Sequence, residues 1–215
     1  MKPKRIILVR HGESTGNADP MQYLTVPDYK LPLTDIGRTQ AALAGVEIKD
    51  IIGDESLHVY LSPWTRTRET FMGIKESVEP NITGIFEDPR IREQDWGHLR
   101  HPDESSKLID IRNEYGPFFY RINDGESCAD VYDRVSTFFE TMHRDFVKDD
   151  FADNCLIVTH GMTLRVILMR WFHWTYEEFE NVRNPANAQV IVMNRNEKGR
   201  YDLETELRYR DGATD

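Results

Sequence analysis

The sequence predicts an α/β fold, a three-layer αβα sandwich with a mostly parallel central sheet and helices on both faces. Residues 5–9 (RIILV) and 155–159 (CLIVT) are short, continuous apolar runs, which are typical of strands buried on both faces of a parallel sheet. Helical stretches alternate with such runs, and this alternation indicates βαβ units. A chain of 215 residues, 39% of them hydrophobic, has enough apolar side chain to fill one core of this kind.

The first half of the chain contains two further strands and two helices. Residues 57–61 (LHVYL) and 82–86 (ITGIF) are predicted strands. The predicted helix over 34–52 begins with a threonine cap, and the predicted helix over 63–78 begins with a proline. The resulting order of strand, helix, strand, helix and strand places helices on both faces of one sheet.

The second half opens with a segment that lacks any periodic pattern. Residues 88–102 are charge-rich and too polar for the core, so we expect a loop that covers one end of the sheet. Ser127-Cys128-Ala129-Asp130 is a predicted capping box, and apolar residues recur behind it at helical spacing as far as Phe146. The remaining predicted elements are a helix over 161–173, a short helix capped by Thr175, and closing strands over 188–193 and 201–207.

Composition excludes several classes of protein. A formal charge of −10 disfavours nucleic-acid binding, which needs clustered Lys and Arg. The two cysteines, Cys128 and Cys155, do not form a C-x-x-C pair, so a disulfide framework or thiolate zinc site is not expected. Charged residues interrupt the apolar stretches, so we expect neither a signal peptide nor a membrane span, and we expect a cytoplasmic protein. The sequence leaves a homodimer open.

Two predicted strands end in the same way. Arg10-His11-Gly12 follows the first strand, and His160-Gly161 follows the strand at 155–159. Because ligands of open α/β sheets bind beyond the carboxyl ends of the strands, both imidazoles are expected to face the same crevice. The glycines allow backbone N–H groups to approach an anion closely. The sequence therefore predicts an anion site at this edge of the sheet.

Arginine beside histidine in an anion site suits phosphoryl transfer. A neutral imidazole can attack phosphorus, and guanidinium groups neutralise and orient the phosphoryl oxygens. Arg66 is placed just inside a helix that follows a strand, where both the helix dipole and its side chain would face the anion. Arg68 is expected to point elsewhere around the helix. The alternative for Arg66 is a solvated helix face, paired with Glu69 or Glu55.

A leaving alkoxide needs a proton from a carboxylic acid within hydrogen-bond reach. Glu93, in the irregular segment before Trp96-Gly97, is the best-placed candidate. Spacing alone does not select it among the 37 acidic residues.

These motifs together resemble the histidine phosphatase superfamily, in its phosphoglycerate-mutase-like branch. They occur in family order over residues 6–194: Arg10-His11-Gly12-Glu13-Ser14-x-x-Asn17, Leu33-Thr34-x-x-Gly37, Ser62-Pro63-x-x-Arg66-x-x-Glu69-Thr70, Glu93, Gly125-Glu126-Ser127 and Thr159-His160-Gly161. The resemblance implies that His11 is the phosphorylated nucleophile and that Glu93 is the proton donor and acceptor. It implies further that the phosphate is bound by Arg10, Asn17, Arg66, His160 and Gly161. It implies no metal and no cofactor.

Within that branch, the segment after Glu93 is similar to eukaryotic proteins that include broad-range acid phosphatases. Residues 94–124 are a short lid, where cofactor-dependent mutases carry a longer insertion that builds a basic cradle for a second phosphate. A shorter lid admits water and favours hydrolysis over return of the phosphate. We therefore expect one domain over 1–215, with 88–126 as lid, that hydrolyses small phosphorylated substrates. The residues that could partly replace the cradle are Arg100, Lys107, Arg112 and Arg121.

Four alternatives stay open at this point. The chain could be a phosphoglycerate mutase, or a catalytically weak module that binds phosphorylated ligands. Gly12-Glu13-Ser14-Thr15-Gly16 matches the nucleophile elbow of serine hydrolases, although in that fold the elbow follows several strands rather than the first. A metal hydrolase using both histidines is disfavoured, because arginines at both ends of the pocket suit an anion and repel a cation.

Overall fold

A six-stranded mixed sheet forms the centre of the protein. The computed structural model describes residues 2–97 and 102–210. The strands are β1 (Arg5–Arg10), β2 (Leu57–Leu61), β3 (Ile82–Glu87), β4 (Asn154–Thr159), β5 (Val190–Arg195) and β6 (Tyr201–Leu203), in the order β3-β2-β4-β1-β5-β6. Strands β1 to β4 are parallel, and β5 runs antiparallel to both of its neighbours. The predicted α/β fold with a mostly parallel sheet is confirmed.

Helices cover both faces of this sheet. They are α1 (Thr15–Ala18), α2 (Asp35–Ile52), α3 (Thr65–Val78), α4 (Pro102–Tyr115), α5 (Cys128–Phe146), α6 (Gly161–Phe172) and α7 (Tyr176–Asn181). Because successive strand residues point to opposite faces, Ile7 and Val9 pack against α2 and α3, whereas Ile6 and Leu8 pack against α5 and α6. Within residues 2–97 and 102–210, no helix is both long and apolar enough to cross a bilayer.

The register of the two central strands brings the two histidine motifs together. Arg10 at the end of β1 pairs with Thr159 at the end of β4, so the next residue on each strand is a histidine. The main-chain N–H of His11 donates to the Thr159 carbonyl at 2.9 Å. The crevice expected beyond the carboxyl ends of the strands therefore lies between β1 and β4.

Two glycines fix the loop that follows β1. A Cβ atom on Gly12 would lie 2.4 Å from the carbonyl oxygen of Gly37, and one on Gly37 would lie 2.1 Å from that of Glu13. Both clashes are with backbone, so only glycine permits the loop to pack on the first turn of α2. This contact fixes the backbone at Gly12 and therefore the position of the adjacent residue, His11.

Helix ends largely follow the predicted caps. The Thr34 side chain accepts from the Gly37 N–H at the start of α2, and Ser127 and Asp130 form the predicted capping box of α5. The predicted start of α3 at Pro63 is wrong by two residues, because α3 begins at Thr65 with Trp64 as its N-cap. The last predicted strand is also shorter than expected, because the Val192 N–H donates to the Thr205 hydroxyl instead of to a backbone carbonyl.

Helix α4 was not predicted. The segment 88–102 does contain irregular backbone, with a short 3₁₀ turn over Pro89–Ile91, but a helix follows where the sequence indicated only a lid. Over residues 106–115, where its side chains are described, the helix shows no apolar stripe: Ile109 and Ile111 are exposed, while Arg112 is buried. Periodicity cannot detect a helix whose buried side chain is a cation.

Candidate active site

The two site histidines lie side by side at the carboxyl ends of β1 and β4. Their ring centroids are 5.2 Å apart, and His11 and His160 are 3% and 0% exposed. The expectation that both imidazoles face one crevice is met in the structure.

His11 has a defined tautomer. Its Nδ1 lies 2.7 Å from the Gly12 carbonyl oxygen, which can only accept, so Nδ1 carries the proton. Nε2 therefore keeps its lone pair, and it accepts from Nε of Arg66 at 3.2 Å. Burial lowers the pKa of His11 well below its ordinary value, and the charges of Arg66 and Arg10 lower it further. The arrangement supplies a neutral imidazole whose Nε2 lone pair accepts from Arg66, and the neutral ring is the form that a nucleophile requires.

Arg66 is buried in the first turn of α3 and is held from two sides. Its Nη1 donates to both the carbonyl and the carboxylate of Asp28, each at 2.8 Å. The guanidinium carbon lies 4.5 Å from the centre of the Trp64 ring, a cation–π contact. Asp28 was not found from the sequence, because it lies 38 positions away from its partner in an irregular loop.

The alternative pairing of Arg66 with Glu69 or Glu55 is wrong. Glu69 accepts from Arg38 and from the Leu33 N–H instead. Glu55 accepts from Lys4 and Arg5 at the other end of the sheet. Arg68 points away from the site, as predicted, and forms two hydrogen bonds with Glu87.

Arg10 and Gly161 form one wall of the crevice. Nη1 of Arg10 donates to the Pro185 carbonyl at 2.6 Å, while its Nε is buried without a hydrogen-bond partner in the described part of the chain. A Cβ atom on Gly161 would lie 3.3 Å from that Nε and 3.1 Å from the Asn184 amide. Because residue 161 is glycine, there is room beside Nε of Arg10, which is a cationic hydrogen-bond donor. Burial lowers the pKa of Arg10.

His160 is oriented by a residue that sequence analysis missed. Its Nε2 lies 2.7 Å from Oγ of Ser62, and its Nδ1 is buried with no hydrogen-bond partner among residues 2–97 and 102–210. Burial lowers the pKa of His160 well below its ordinary value, with Arg66 adding to the effect. Ser62 directly follows β2, so the strand-end argument that identified both histidines could have found it.

The carboxylate of Glu93 lies at the N-terminus of α6, directly after His160. Oε1 accepts from the N–H of Gln94 and the N–H of Thr163, both at 3.0 Å. The Thr163 hydroxyl lies 3.2 Å from Oε1, but its one proton is donated to the Arg92 carbonyl at 2.5 Å. Oε2 accepts only from the N–H of Met162, at 3.1 Å, among the described groups. The carboxylate thus adjoins the histidine crevice, with Oε2 as its less engaged oxygen.

A partly buried ion-pair network holds the segment that carries Glu93. Nη2 of Arg134 donates to the Glu93 carbonyl at 3.1 Å and to the Glu126 carboxylate at 3.1 Å. Glu126 also accepts from Arg92 and from the Asp95 N–H. The Gly125-Glu126-Ser127 motif therefore acts on the site through the backbone of residues 92–95.

Asn17 lies in α1 at the exposed rim. Its Oδ1 accepts from the Ser14 N–H at 3.2 Å and from the Asn187 amide at 3.1 Å. These bonds use the amide oxygen and orient the side chain.

Of the four basic residues expected to replace part of a mutase cradle, the three that the structure describes do not share one surface. Arg121 is exposed and pairs with Asp130, whereas Arg112 is buried. Lys107 is exposed, and Arg100 lies outside the described residues.

Comparison of the sequence with known proteins identifies related chains. It matches the model of the histidine phosphatase superfamily (branch 1) over residues 6–205. It is 42% identical over 214 residues to the phosphoglycerate mutase-like protein AT74 of Arabidopsis thaliana, covering 94% of this chain and 68% of that protein. It is 31% identical over 300 residues to the broad-range acid phosphatase DET1 of Saccharomyces cerevisiae, covering 96% of this chain and 90% of that protein.

Solved structures share the fold. The chain named mycobacterial hydrolase 1 superposes with a TM-score of 0.76 at 19% identity, covering 96% of this chain and 99% of that one. A vanadate complex of a mycobacterial glucosyl-3-phosphoglycerate phosphatase superposes with a TM-score of 0.71 at 20% identity, covering 94% of this chain and 98% of that one.

Proposed function

The chain belongs to the histidine phosphatase superfamily, and from that premise we propose that it is a metal-independent phosphomonoesterase that acts through a phosphohistidine on His11. The observation that carries the proposal is the state of His11, a buried neutral imidazole whose Nε2 lone pair faces the guanidinium of Arg66. Relatives named as phosphatase and as phosphoglycerate mutase-like proteins support phosphoryl chemistry at this site.

In the first step, Nε2 of His11 attacks the phosphorus atom of the ester. The N–P bond forms as the bond between phosphorus and the leaving oxygen breaks, and Glu93 gives its proton to that oxygen. Charge on the phosphoryl oxygens is stabilised by donors of Arg66, Nε of Arg10 and Nδ1–H of His160. The last two are buried atoms without a partner among the residues that the structure describes, as a group reserved for a ligand would be.

The phosphoryl oxygens have further contacts at the rim and the floor of the site. The Nδ2 group of Asn17 is available because the amide oxygen is already bonded within the protein. Gly161 contributes space, since any side chain there would meet Arg10 and Asn184.

In the second step, Glu93 takes a proton from water, the water oxygen attacks phosphorus, and the N–P bond breaks. His11 and Glu93 return to their starting states with inorganic phosphate released. We assign the proton transfers to Oε2 of Glu93, because Oε1 already accepts two backbone hydrogen bonds and Oε2 accepts one. Residues 88–126 would act as the lid of a single domain.

Trapping of the phosphoenzyme tests the nucleophile. Brief incubation with a ³²P-labelled phosphomonoester should label His11, and the label should be acid-labile and base-stable, as a phosphoramidate is. His11→Ala should lose both the label and turnover, while His143→Ala, an exposed histidine on α5, keeps both. Turnover by His11→Ala at a tenth of the normal rate would remove His11 from this role.

Leaving-group dependence tests Glu93. An acid helps most when the leaving alkoxide is poor, whereas nitrophenolate leaves readily without one. Glu93→Gln should therefore slow phosphoenzyme formation much more for alkyl phosphates than for p-nitrophenyl phosphate. Asp95→Asn, a neighbouring exposed carboxylate, should leave that ratio unchanged. Equal losses on both substrates in single-turnover assays would contradict the assignment.

The fate of the phosphoryl group separates the phosphatase from a mutase. Two relatives named as 2,3-bisphosphoglycerate-dependent mutases are 26% identical to this chain, which makes transfer the competing activity. Hydrolysis of a panel of phosphomonoesters should exceed bisphosphoglycerate-supported mutase turnover measured alongside. Mutase turnover equal to or above hydrolysis would overturn the proposal.

A further inference from the structure

A cavity of about 620 Å³ lies at the edge of the sheet opposite to the histidine crevice. Four separate segments line it: the residues before β1, the last turn of α5, the end of α6 and the turn between β5 and β6. The site histidines follow the carboxyl ends of β1 and β4, whereas Lys2 precedes the amino end of β1. None of the described residues that line the cavity belongs to the proposed phosphoryl site. Its volume is typical of small-molecule sites, which occupy about 300–1,000 Å³.

Positive charge is concentrated around this cavity. The charged and imidazole side chains that line it are Lys2, His143, His173 and Arg200, and no carboxylate lines it among the described residues. The whole chain, in contrast, has a formal charge of −10. The helix dipole favours cations at helix C-termini, which explains His143 in the last turn of α5 and His173 at the C-cap of α6. Lys2 and Arg200 belong to neither helix, so the convergence of four such groups favours an anionic ligand.

The surroundings of His143 show that the local field is positive. Burial lowers the pKa of His143, and the nearby charges of Lys2 and Arg170 lower it further. A carboxylate close to the imidazole would act in the opposite direction. An anion bound in the cavity would reduce the repulsion among these groups.

Aromatic side chains form the wall beside these charges. Trp171 lines the cavity with an indole that is only partly buried. Its ring centre lies 5.7 Å from that of His143 and 5.5 Å from that of Tyr201, and the Tyr201 ring is nearly perpendicular to it, at 83°. An indole face of this kind accepts a flat ring in an offset stack. The cavity therefore offers a planar apolar surface next to cationic groups.

Packed elements hold these walls in place. Phe146 is 1% exposed and belongs to the main core. Tyr201 is 7% exposed, and its hydroxyl donates to the Pro3 carbonyl at 2.5 Å. Nη1 of Arg195 donates to the Lys2 carbonyl at 2.7 Å, which ties the segment before β1 to β5. The segments that carry the cationic groups are thus attached to the fold, as in a largely preformed ligand site.

We propose that this cavity binds a planar aromatic anion, with its ring against Trp171 and its charged group near Lys2 and Arg200. A nucleoside monophosphate has both features and serves as the probe. The proposal is independent of the phosphatase function, because the cavity and the histidine crevice lie at opposite edges of the sheet and share no described residue.

Calorimetric titration with adenosine 5′-monophosphate tests the cavity. We use His11→Ala protein, so that the probe is not hydrolysed during the titration. Arg200→Gln on this background should weaken binding about 10- to 100-fold, the range expected for one hydrogen bond to a charged group. Lys198→Gln removes the same charge from an exposed residue of the same turn that does not line the cavity, and it should leave the affinity unchanged. Equal affinities of the Arg200→Gln and Lys198→Gln proteins would overturn the proposal.

Fragments of the probe test the two features separately. Adenosine keeps the ring and lacks the charge, whereas ribose 5-phosphate keeps the charge and lacks the ring. Each should bind at least tenfold more weakly than adenosine 5′-monophosphate, because stacking of one base and one charged hydrogen bond each contribute about that factor or more. Ribose 5-phosphate that binds as tightly as the whole nucleotide would refute the aromatic part, and no binding at millimolar nucleotide would refute the site.

The location of the bound probe separates the cavity from the histidine crevice, which can also accept a phosphate. Photolabelling with 8-azidoadenosine 5′-monophosphate, followed by mass spectrometry of peptides, should modify Trp171 or Tyr201, and excess unlabelled nucleotide should protect both. Arg66→Ala, which disrupts the crevice, should leave this label in place. A label confined to the crevice, or binding that is lost in Arg66→Ala and retained in Arg200→Gln, would overturn the proposal.

Discussion

Replacement of Ser62 by alanine should remove the hydrogen bond that fixes the tautomer of His160. The Ser62 hydroxyl has one described hydrogen-bond partner, Nε2 of His160 at 2.7 Å, and both residues are fully buried. A buried hydroxyl must donate its proton, so Ser62 donates and Nε2 accepts. The proton of the neutral ring then resides on Nδ1. This atom has no partner among the described groups, and we assign it to the phosphoryl group.

The expected magnitude has a stability part and a catalytic part. Loss of the hydroxyl leaves Nε2 as an unsatisfied buried acceptor, which costs about 1–3 kcal/mol in the free energy of unfolding. For a chain of this size, each kcal/mol corresponds to about 2–4 °C in Tm. Loss of a preorganised donor typically lowers kcat about 100-fold, so a complete shift of the proton to Nε2 in Ser62→Ala should lower kcat by about that factor.

The ¹⁵N chemical shifts of the His160 ring report the tautomer directly. Wild-type protein should show protonated Nδ1 and unprotonated Nε2, and Ser62→Ala should show a shift toward protonated Nε2 together with weaker vanadate inhibition. Ser136→Ala removes a serine on α5, outside the site, and serves as the control. Wild-type protein with protonated Nε2, or Ser62→Ala with an unchanged tautomer and a hundredfold loss of activity, would refute the reasoning.

Three further predictions concern the loops and charges around the site. Gly37→Ala should lower the free energy of unfolding by about 1–3 kcal/mol or more in urea titrations, because its Cβ would lie 2.1 Å from a backbone oxygen. The control, Leu43→Ala on the exposed face of α2, should change the free energy of unfolding by less than about 0.5 kcal/mol. Asp28→Ala should lower kcat/KM by about tenfold, because Nη1 of Arg66 is no longer held by the carboxylate. Asp28→Asn keeps the acceptor oxygen and should lower kcat/KM less. Equal losses in the two variants would show that Asp28 contributes through its charge and not by positioning Arg66. Burial lowers the pKa of His160 in the folded state, so the unfolded chain takes up a proton first as pH falls below about 6.5. The free energy of unfolding should therefore decrease between pH 7.5 and 5.5. The decrease should be smaller in His160→Gln.

The sheet and its histidine crevice could be predicted because local patterns encode them. Continuous apolar runs identify β1 and β4 as central strands, and residues that directly follow such strands lie at the carboxyl edge of the sheet. His11 and His160 were found in this way without knowledge of any contact. Glu93 was different, since spacing did not select it and a resemblance was needed.

Which side chains pair within the site was decided by the tertiary structure, although the place of Ser62 directly after β2 could have been read from the sequence. Asp28 and Ser62 lie 38 and 98 positions from Arg66 and His160, and no periodicity relates residues that the fold brings together from separate loops and strands. Helix α4 escaped prediction for a related reason, since its buried residue is Arg112 and its apolar residues face outward. Sequence patterns record whether a side chain faces water or the core, because burial follows hydrophobicity along one element. Which polar group satisfies another depends on distances between elements, and these exist only once the chain is folded.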